Sequence, residues 1–222
     1  MIEQLAIKMT KLITFEGIEG SGKSTQAKLL HQYFFNKNIP TILTREPGGT
    51  KLAEEIRSLL VNGEIDKMDG VCEVLLNFAA RKNHLEMLIK PAITRGDIVI
   101  CDRFFDSTLA YQGFGHRIDL KTIKAIQRVA IDDYEPNITF LIDIDVDVAF
   151  ERIKNRLENN RYEKMDKDFH QRVRRGFLEI AKDNNDRIVV IDGNKSEQII
   201  QQIIVDKLWD CCKSAFEKYA RH

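Results

Sequence analysis

Nine residues, Gly17-Ile18-Glu19-Gly20-Ser21-Gly22-Lys23-Ser24-Thr25, carry the spacing G-x-x-x-x-G-K-[S/T] directly behind the strand-type run Leu12–Glu16. Glycines so placed let a backbone curl until successive N–H groups converge on phosphate oxygens, and a helix opening near Lys23 adds its positive end. Lys23 is then positioned to reach the β- and γ-phosphates of a nucleotide, and the Ser24 hydroxyl to ligate Mg²⁺. A glycine-rich strand-to-helix turn without a ligand is the plainer alternative; the position between a buried strand and a helix weighs against it. Several classes of phosphate-handling protein share such a loop, so it does not by itself name a reaction.

Two further groups stand at the ends of apolar runs. Thr44-Arg45-Glu46-Pro47-Gly48-Gly49-Thr50 closes the run from Thr41, and Asp102-Arg103-Phe104-Phe105-Asp106-Ser107-Thr108-Leu109-Ala110-Tyr111-Gln112-Gly113 follows Ile98–Cys101. Open α/β sheets bind ligands at the carboxyl ends of their strands. Asp102 at such an end can hold a Mg²⁺-bound water or orient other polar groups, and Arg103 offers a planar fork for a phosphate or a transferring group. A surface Asp–Arg pair is the alternative. Ser107 and Tyr111 are four apart, as are Thr108 and Gln112, so each pair shares a helix face where a phenol and an amide can meet a ribose and a base edge.

Taken together these residues resemble the thymidylate kinase family, in its bacterial form with a basic lid. T-R-E-P-G-G-T (44–50), F-A-A-R (78–81) and D-R-x-x-x-S-x-x-A-Y-Q-G (102–113) stand behind the phosphate loop in that family's order, and the resemblance runs from about Leu12 to Asp192. It implies a P-loop kinase fold, ATP with Mg²⁺ as donor, dTMP as acceptor and a homodimer. On this resemblance residues 17–25 cradle ATP, Ser24 and Asp102 serve the metal, and Lys23, Asp102 and Arg103 act in transfer. Arg57 contacts the acceptor's 5′-phosphate and Arg81 a thymine carbonyl. Tyr111 crowds the 2′ position, and Gln112 with Thr108 reads the pyrimidine edge. Glu19, whose carboxylate would repel a triphosphate, is implied to face the acceptor's 3′-hydroxyl. Many members carry a Phe four residues before the Arg of F-A-A-R. Asn77 stands there in this chain, and Phe78, turned by about 100° on a helix, is the remaining aromatic candidate for the base.

One subgroup of the family has an Arg in the phosphate loop where this chain has Gly20, so compensating charge is expected from a lid at about 152–163. Arg152 and Arg156 share a helix face, and Arg161 follows the Asn159-Asn160 break. Arg152 is assigned to ATP, Arg156 or Arg161 to charge spreading over the transferring phosphoryl oxygens, and Glu163 to the acceptor sugar. A solvated charged helix is the alternative for this run. A P-loop kinase acting on another nucleotide or nucleoside is the nearest rival function. A regulatory nucleotide switch is the rival of another class, but neither Asn155 nor Asn194 begins an N-K-x-D signature.

The elements that must position these groups follow from the pattern of apolar residues. Strands are expected at Leu12–Glu16, Thr41–Thr44, Ile98–Cys101, Ile138–Ile142 and Ile188–Ile191, most of them near-continuous Val/Ile/Leu/Phe runs of the kind buried on both faces of a parallel sheet. Helices are expected through Ala27, Leu30 and Phe34, from about Met68 to Thr94 with a break near Pro91, and over Ser196–Lys218. The alternation predicts an α/β fold with a five-stranded parallel sheet, helices on both faces, and one domain over residues 1–222 with a short extension at 1–10. The 222 residues carry 34 basic and 34 acidic side chains, a zero balance that speaks against a general nucleic-acid or membrane-surface binder. No apolar run approaches the ~20 residues of a membrane span. The cysteines, Cys72, Cys101, Cys211 and Cys212, lack metal-ligand spacing, and a reduced, cytoplasmic setting is expected.

Overall fold

The structure, a computed structural model, describes residues 10–154 and 161–219, with side chains as far as Cys211. Five parallel strands, β1 (Leu12–Glu16), β2 (Thr41–Arg45), β3 (Ile98–Asp102), β4 (Ile138–Asp143) and β5 (Ile188–Asp192), form one sheet in the order β2-β3-β1-β4-β5. After β1 the chain passes to the edge strand β2, returns to β3 between them, then crosses to β4 and β5 on the other side of β1. The central strand therefore marks the point where the direction of winding reverses, and a crevice opens there above the carboxyl ends.

The three inner strands, β1, β3 and β4, are buried on both sides because helices cover both faces. On one face Ile13, Phe15, Ile100, Phe140 and Ile142 pack with Ala27, Leu30 and Phe34 of α1 (Lys23–Asn36) and with Ile200, Ile204 and Leu208 of α9 (Glu197–Tyr219). On the other, Leu12, Val99, Cys101 and Leu141 pack under α3 (Gly70–His84), α6 (Leu120–Ile131) and α8 (Lys167–Asp183). The remaining α-helices among the described residues are α2 (Lys51–Val61), α4 (Lys90–Arg95), α5 (Phe105–Thr108) and α7 (Val146–Ile153), and a π-helical stretch, Leu109–Gly115, continues α5.

All five expected strands are present, and four extend one residue further than the apolar runs, to Arg45, Asp102, Asp143 and Asp192. Backbone pairing continues through these polar residues, with Arg45 opposite Asp102 and Asp143 opposite Asp192. The hydrogen-bond ladder does not depend on side-chain polarity, so the functional corners are held by the sheet itself. The helix expected from Met68 begins at Gly70, because Asp69 caps it by accepting from Val71 N (2.7 Å) and Cys72 N (3.0 Å). Near its far end a π-helical segment, Leu85–Ile89, precedes α4, which carries Pro91 in its first turn and ends at Gly96 (φ 93°). A proline cannot donate to the preceding turn, and a locally widened helix accommodates that loss.

A buried pair fastens α5 to the approach to β5. Arg187 Nη1 and Nη2 donate to Asp106 Oδ2 and Oδ1, both at 2.8 Å. Asp106 is 1% exposed and Arg187 8%. Removing one partner leaves a buried charge uncompensated, so Asp106→Ala is expected to lower stability by about 3–5 kcal/mol in urea unfolding. A change near zero would show that the pair does not fasten these elements.

Candidate active site

Residue Phe15 of β1 pairs with Asp102 of β3, so the turns leaving these two strands start side by side. The first is the glycine loop. Gly17 (φ 142°), Gly20 (φ 77°) and Gly22 (φ 97°) lie in backbone regions that disfavour side chains. Gly20 also abuts α7: a Cβ there would lie 2.6 Å from the Ala149 carbonyl oxygen. The loop accordingly has no room for an arginine at that position. Ile18 is buried in the core, Ser21 is fully buried, and Lys23 Nζ rests on the Ile18 carbonyl at 3.3 Å. Burial, and then the neighbouring Arg103, push Lys23 down to about 8.

The second turn places Asp102 and Arg103 opposite. Asp102 Oδ2 accepts a hydrogen bond from Ser24 Oγ, while Oδ1 is buried without a hydrogen-bond partner among the described residues. Arg103 adopts φ 71°, and its guanidinium donates to Gly17 O (3.0 Å), Ser107 Oγ (3.0 Å), Glu19 Oε1 (2.8 Å) and Tyr111 OH (3.1 Å). Burial opposes its charge, but Tyr111, Glu19 and Asp102 outweigh that and hold Arg103 more firmly protonated than usual. Burial likewise raises the Glu19 carboxyl, yet Arg103 and Lys23 prevail and hold it below its ordinary range. Tyr111 OH donates to Glu19 Oε2 at 2.5 Å, completing a closed triangle of side chains.

Two clefts meet at this triangle. One, of about 620 Å³, is lined by Gly20, Gly22, Lys23, Ser24, Thr25, Arg45, Asp102 and Glu163. The other, of about 540 Å³, is lined by Pro47, Val61, Asn77, Arg81, Phe104, Ser107, Thr108, Tyr111, Gln112 and Tyr162. Glu19, Glu46, Arg57 and Arg103 border both. The glycine loop and the Asp102-Arg103 corner thus face a common space.

Of the residues singled out in the sequence, three are placed differently from expectation. Phe78 does not line the cleft: it is 1% exposed and lies under Arg81, whose guanidinium carbon stands 4.7 Å from the ring centroid. Asn77 takes the position on the wall, as one helical step requires. Arg161 is 2% exposed and pairs with Glu73, while also donating to Leu60 O (3.0 Å) and Ile65 O (3.2 Å). A buried carboxylate at Glu73 needs a cation, and this requirement draws Arg161 away from the glycine loop. Arg152 donates to Gly193 O (3.0 Å) and, more weakly, to Gly20 O (3.5 Å), so it braces the loop's main chain. Arg156 lies outside the described residues. Arg57 borders both clefts and donates to Pro47 O at 3.0 Å.

Three carboxylates that motif reading left unassigned hold the walls. Glu46 accepts from Arg81 Nε (2.6 Å) and lies 3.0 Å from His84 Nδ1. Arg81 also donates to Phe104 O (3.2 Å) and Thr108 Oγ1 (3.1 Å), leaving its Nη1 buried without a hydrogen-bond partner among the described residues. Glu73 gathers Arg161, Gln112 and Tyr162. Glu16 accepts from Phe104 N (2.7 Å) and Ser107 Oγ (2.5 Å). Glu46 did carry a signal, because it stands inside T-R-E-P-G-G-T at a strand end; Glu73 and Glu16 carry none beyond being acidic residues within apolar stretches.

The sequence model of the family described as thymidylate kinase matches residues 15–204. The chain belongs to the thymidylate kinase family. It is 42% identical to the thymidylate kinase of Trichodesmium erythraeum over 217 residues, covering 89% of this chain and 96% of that one. It is 46% identical over 200 residues to that of Wolbachia pipientis wMel, covering 88% and 98%. The crystal structure of thymidylate kinase from Ehrlichia chaffeensis superposes with a TM-score of 0.71 at 40% identity, over 89% of this chain and 98% of that chain. The family's P-loop kinase fold is the one described above, and no helix among the described residues is long and apolar enough to cross a membrane.

Glu16 gives the site a pH signature. Burial, and secondarily Asp106, push its carboxyl up from 4.5 to about 8. A group raised in the folded state contributes stability that is fully present below its unfolded value and is lost as pH rises through the folded one. Urea midpoints of the wild type should therefore fall between about pH 5 and pH 9, and those of Glu16→Gln should fall less. Equal slopes for the two proteins would exclude Glu16 as the cause.

Proposed function

We propose that this protein transfers the γ-phosphoryl group of ATP to dTMP, forming ADP and dTDP. The reading rests on one observation above all: the glycine-loop cleft and the Arg81–Gln112 cleft share a border at Glu19, Arg57 and Arg103. Two nucleotides lying in them would bring their phosphates together at that border. Phosphoryl transfer has a loose transition state, so alignment and charge neutralisation supply most of the acceleration. The acceptor is already a phosphate oxygen, and no protein base is required.

In this scheme the amides of residues 17–25 and the Lys23 ammonium hold the donor. Polyphosphate beside Lys23 would restore the proton affinity that burial removes. Arg103 bridges the two phosphates, with Arg57 on the acceptor side. The Ser24 hydroxyl and the partner-free Asp102 Oδ1 are hard oxygen donors suited to Mg²⁺ and its waters. A magnesium ion bound there would neutralise phosphate charge. On the acceptor side, Glu19 and Tyr111 face the sugar, Arg81 Nη1 offers a donor to a pyrimidine carbonyl, and Gln112 meets the base edge. With Phe78 beneath Arg81, the wall facing the base is formed by Asn77 and Phe104 instead. Glu163, at the border of the loop-side cleft, would approach the acceptor sugar.

The proposal extends to a cytoplasmic homodimer. Val71 and Leu75 on α3 and Val129 on α6 are exposed apolar residues on helices that pack against each other. Such a face is suited to a twofold contact.

The purified protein with ATP and Mg²⁺ should phosphorylate dTMP faster than dUMP, dCMP, dAMP or dGMP in a coupled ADP-release assay. Arg103→Ala and Lys23→Ala, checked for an intact fold by circular dichroism, should each lose about 10²-fold or more in kcat. A different leading monophosphate would overturn the acceptor assignment, and near-normal turnover by folded Arg103→Ala would overturn the bridging role.

A further inference from the structure

We infer that Glu73 is a specificity-setting positioning residue, which fixes the orientation of the Gln112 side-chain amide and so makes the base reader a hydrogen-bond acceptor. The inference rests on the reading of the Arg81–Gln112 cleft as the pyrimidine site.

An amide is ambiguous by itself, since its oxygen accepts and its nitrogen donates, and a flip exchanges them. Glu73 removes the ambiguity. Its carboxylate is 1% exposed, is paired with the Arg161 guanidinium, and in that state can only accept. Whatever part of Gln112 faces it must therefore be the donor, and Gln112 Nε2 does lie 3.0 Å from Glu73 Oε2. The Tyr162 hydroxyl lies 3.2 Å from the same carboxylate oxygen and 3.5 Å from Gln112 Nε2. With Nε2 engaged behind the wall, Oε1 is the amide atom left to the cleft that Gln112 lines.

The cleft then presents an ordered pair: an acceptor from Gln112 and a donor from the unpartnered Arg81 Nη1. Thymine and uracil offer the complement, N3–H to give and O4 to receive. Cytosine offers the reverse, with N3 accepting and its 4-amino group donating. A site built of fixed polar groups rejects the mismatched base because its buried groups are left unpaired.

Glu73 is in turn held by a residue from the far side of the α7–α8 connection. Arg161 grips Leu60 O and Ile65 O at the α2–α3 corner while pairing with Glu73. The docking of Arg161 and Tyr162 is therefore coupled to the reading of the base. His116 Nε2, 3.6 Å from Glu73 Oε2, is the other charged-capable neighbour of this carboxylate.

The test compares kcat/KM for dTMP and dCMP in wild type and Glu73→Gln. A glutamine at 73 can donate as well as accept, so Gln112 is free to flip. The dTMP:dCMP preference should fall by about tenfold, with kcat/KM for dCMP rising in absolute terms. The Arg81 mismatch with the 4-amino group persists, so preference is reduced and not abolished. Should Glu73→Gln fail to fold with Arg161 unpaired, the double variant Glu73→Gln/Arg161→Gln removes both buried charges and is expected to show the same rise for dCMP. Parallel loss for both substrates at an unchanged ratio would overturn the inference and assign Glu73 a structural role alone. Failure of the wild type to prefer dTMP would instead overturn the acceptor assignment, so the two failures are distinguishable.

Discussion

The guanidinium of Arg103 fixes the distance between the glycine loop and the opposite wall. Its backbone N–H donates to Phe15 O at 2.9 Å, which joins the end of β3 to the end of β1. Its φ of 71° then turns the side chain back over the loop instead of continuing along the strand direction. A left-handed arginine costs about 1–3 kcal/mol and persists only where its surroundings over-determine it. Here four hydrogen bonds do so, donated by the guanidinium to Gly17 O, Glu19 Oε1, Ser107 Oγ and Tyr111 OH. The cation that bridges the two clefts is thus pre-set by the main chain and does not wait for a ligand.

The same arrangement recurs one layer behind the walls. Glu16 holds the Phe104 N–H and the Ser107 hydroxyl, Glu46 holds Arg81 and His84, and Glu73 holds Gln112 and Arg161. Each carboxyl group sits between an apolar core and a polar cleft, where an unsatisfied polar group would be costly and a hydrogen-bonded one is rigid. Their common effect is to make donor and acceptor directions definite. The proposed reading of the base depends on that property more than on additional contact area.

The sheet, its strands and the glycine loop were legible because they depend on local pattern: apolar runs mark strands buried on both faces, and glycine spacing marks the turn. Ser107, Thr108, Tyr111 and Gln112 were legible for a related reason, since spacing along one element predicts a shared face even where the helix widens over Leu109–Gly115. What could not be read depends on partners distant in sequence. Arg161 looked like a cation available to a phosphate until its partner 88 residues away, Glu73, was in view. Phe78 looked like a base-stacking ring, but helix phase alone does not reveal that Arg81 lies over it. The π-helical segment before Pro91 was likewise hidden, because a proline signals a lost hydrogen bond without saying how the helix absorbs it.

The lid arginines show how packing decides which charges remain available. Gly20 is closed to any side chain by the Ala149 carbonyl, so the loop carries no cation of its own next to Glu19. Arg152 reaches that region but is engaged with the carbonyls of Gly20 and Gly193, and Arg161 is engaged with Glu73. Among the described residues, the cations that line the loop-side cleft are Lys23, Arg45, Arg57 and Arg103. Arg45 ends β2 and Arg103 follows β3 directly, while Lys23 opens α1 behind the glycine loop and Arg57 is on α2. Charge neutralisation over the phosphates is therefore built chiefly into the sheet's carboxyl edge, where strand pairing fixes position, while the described lid arginines brace backbone and base pocket.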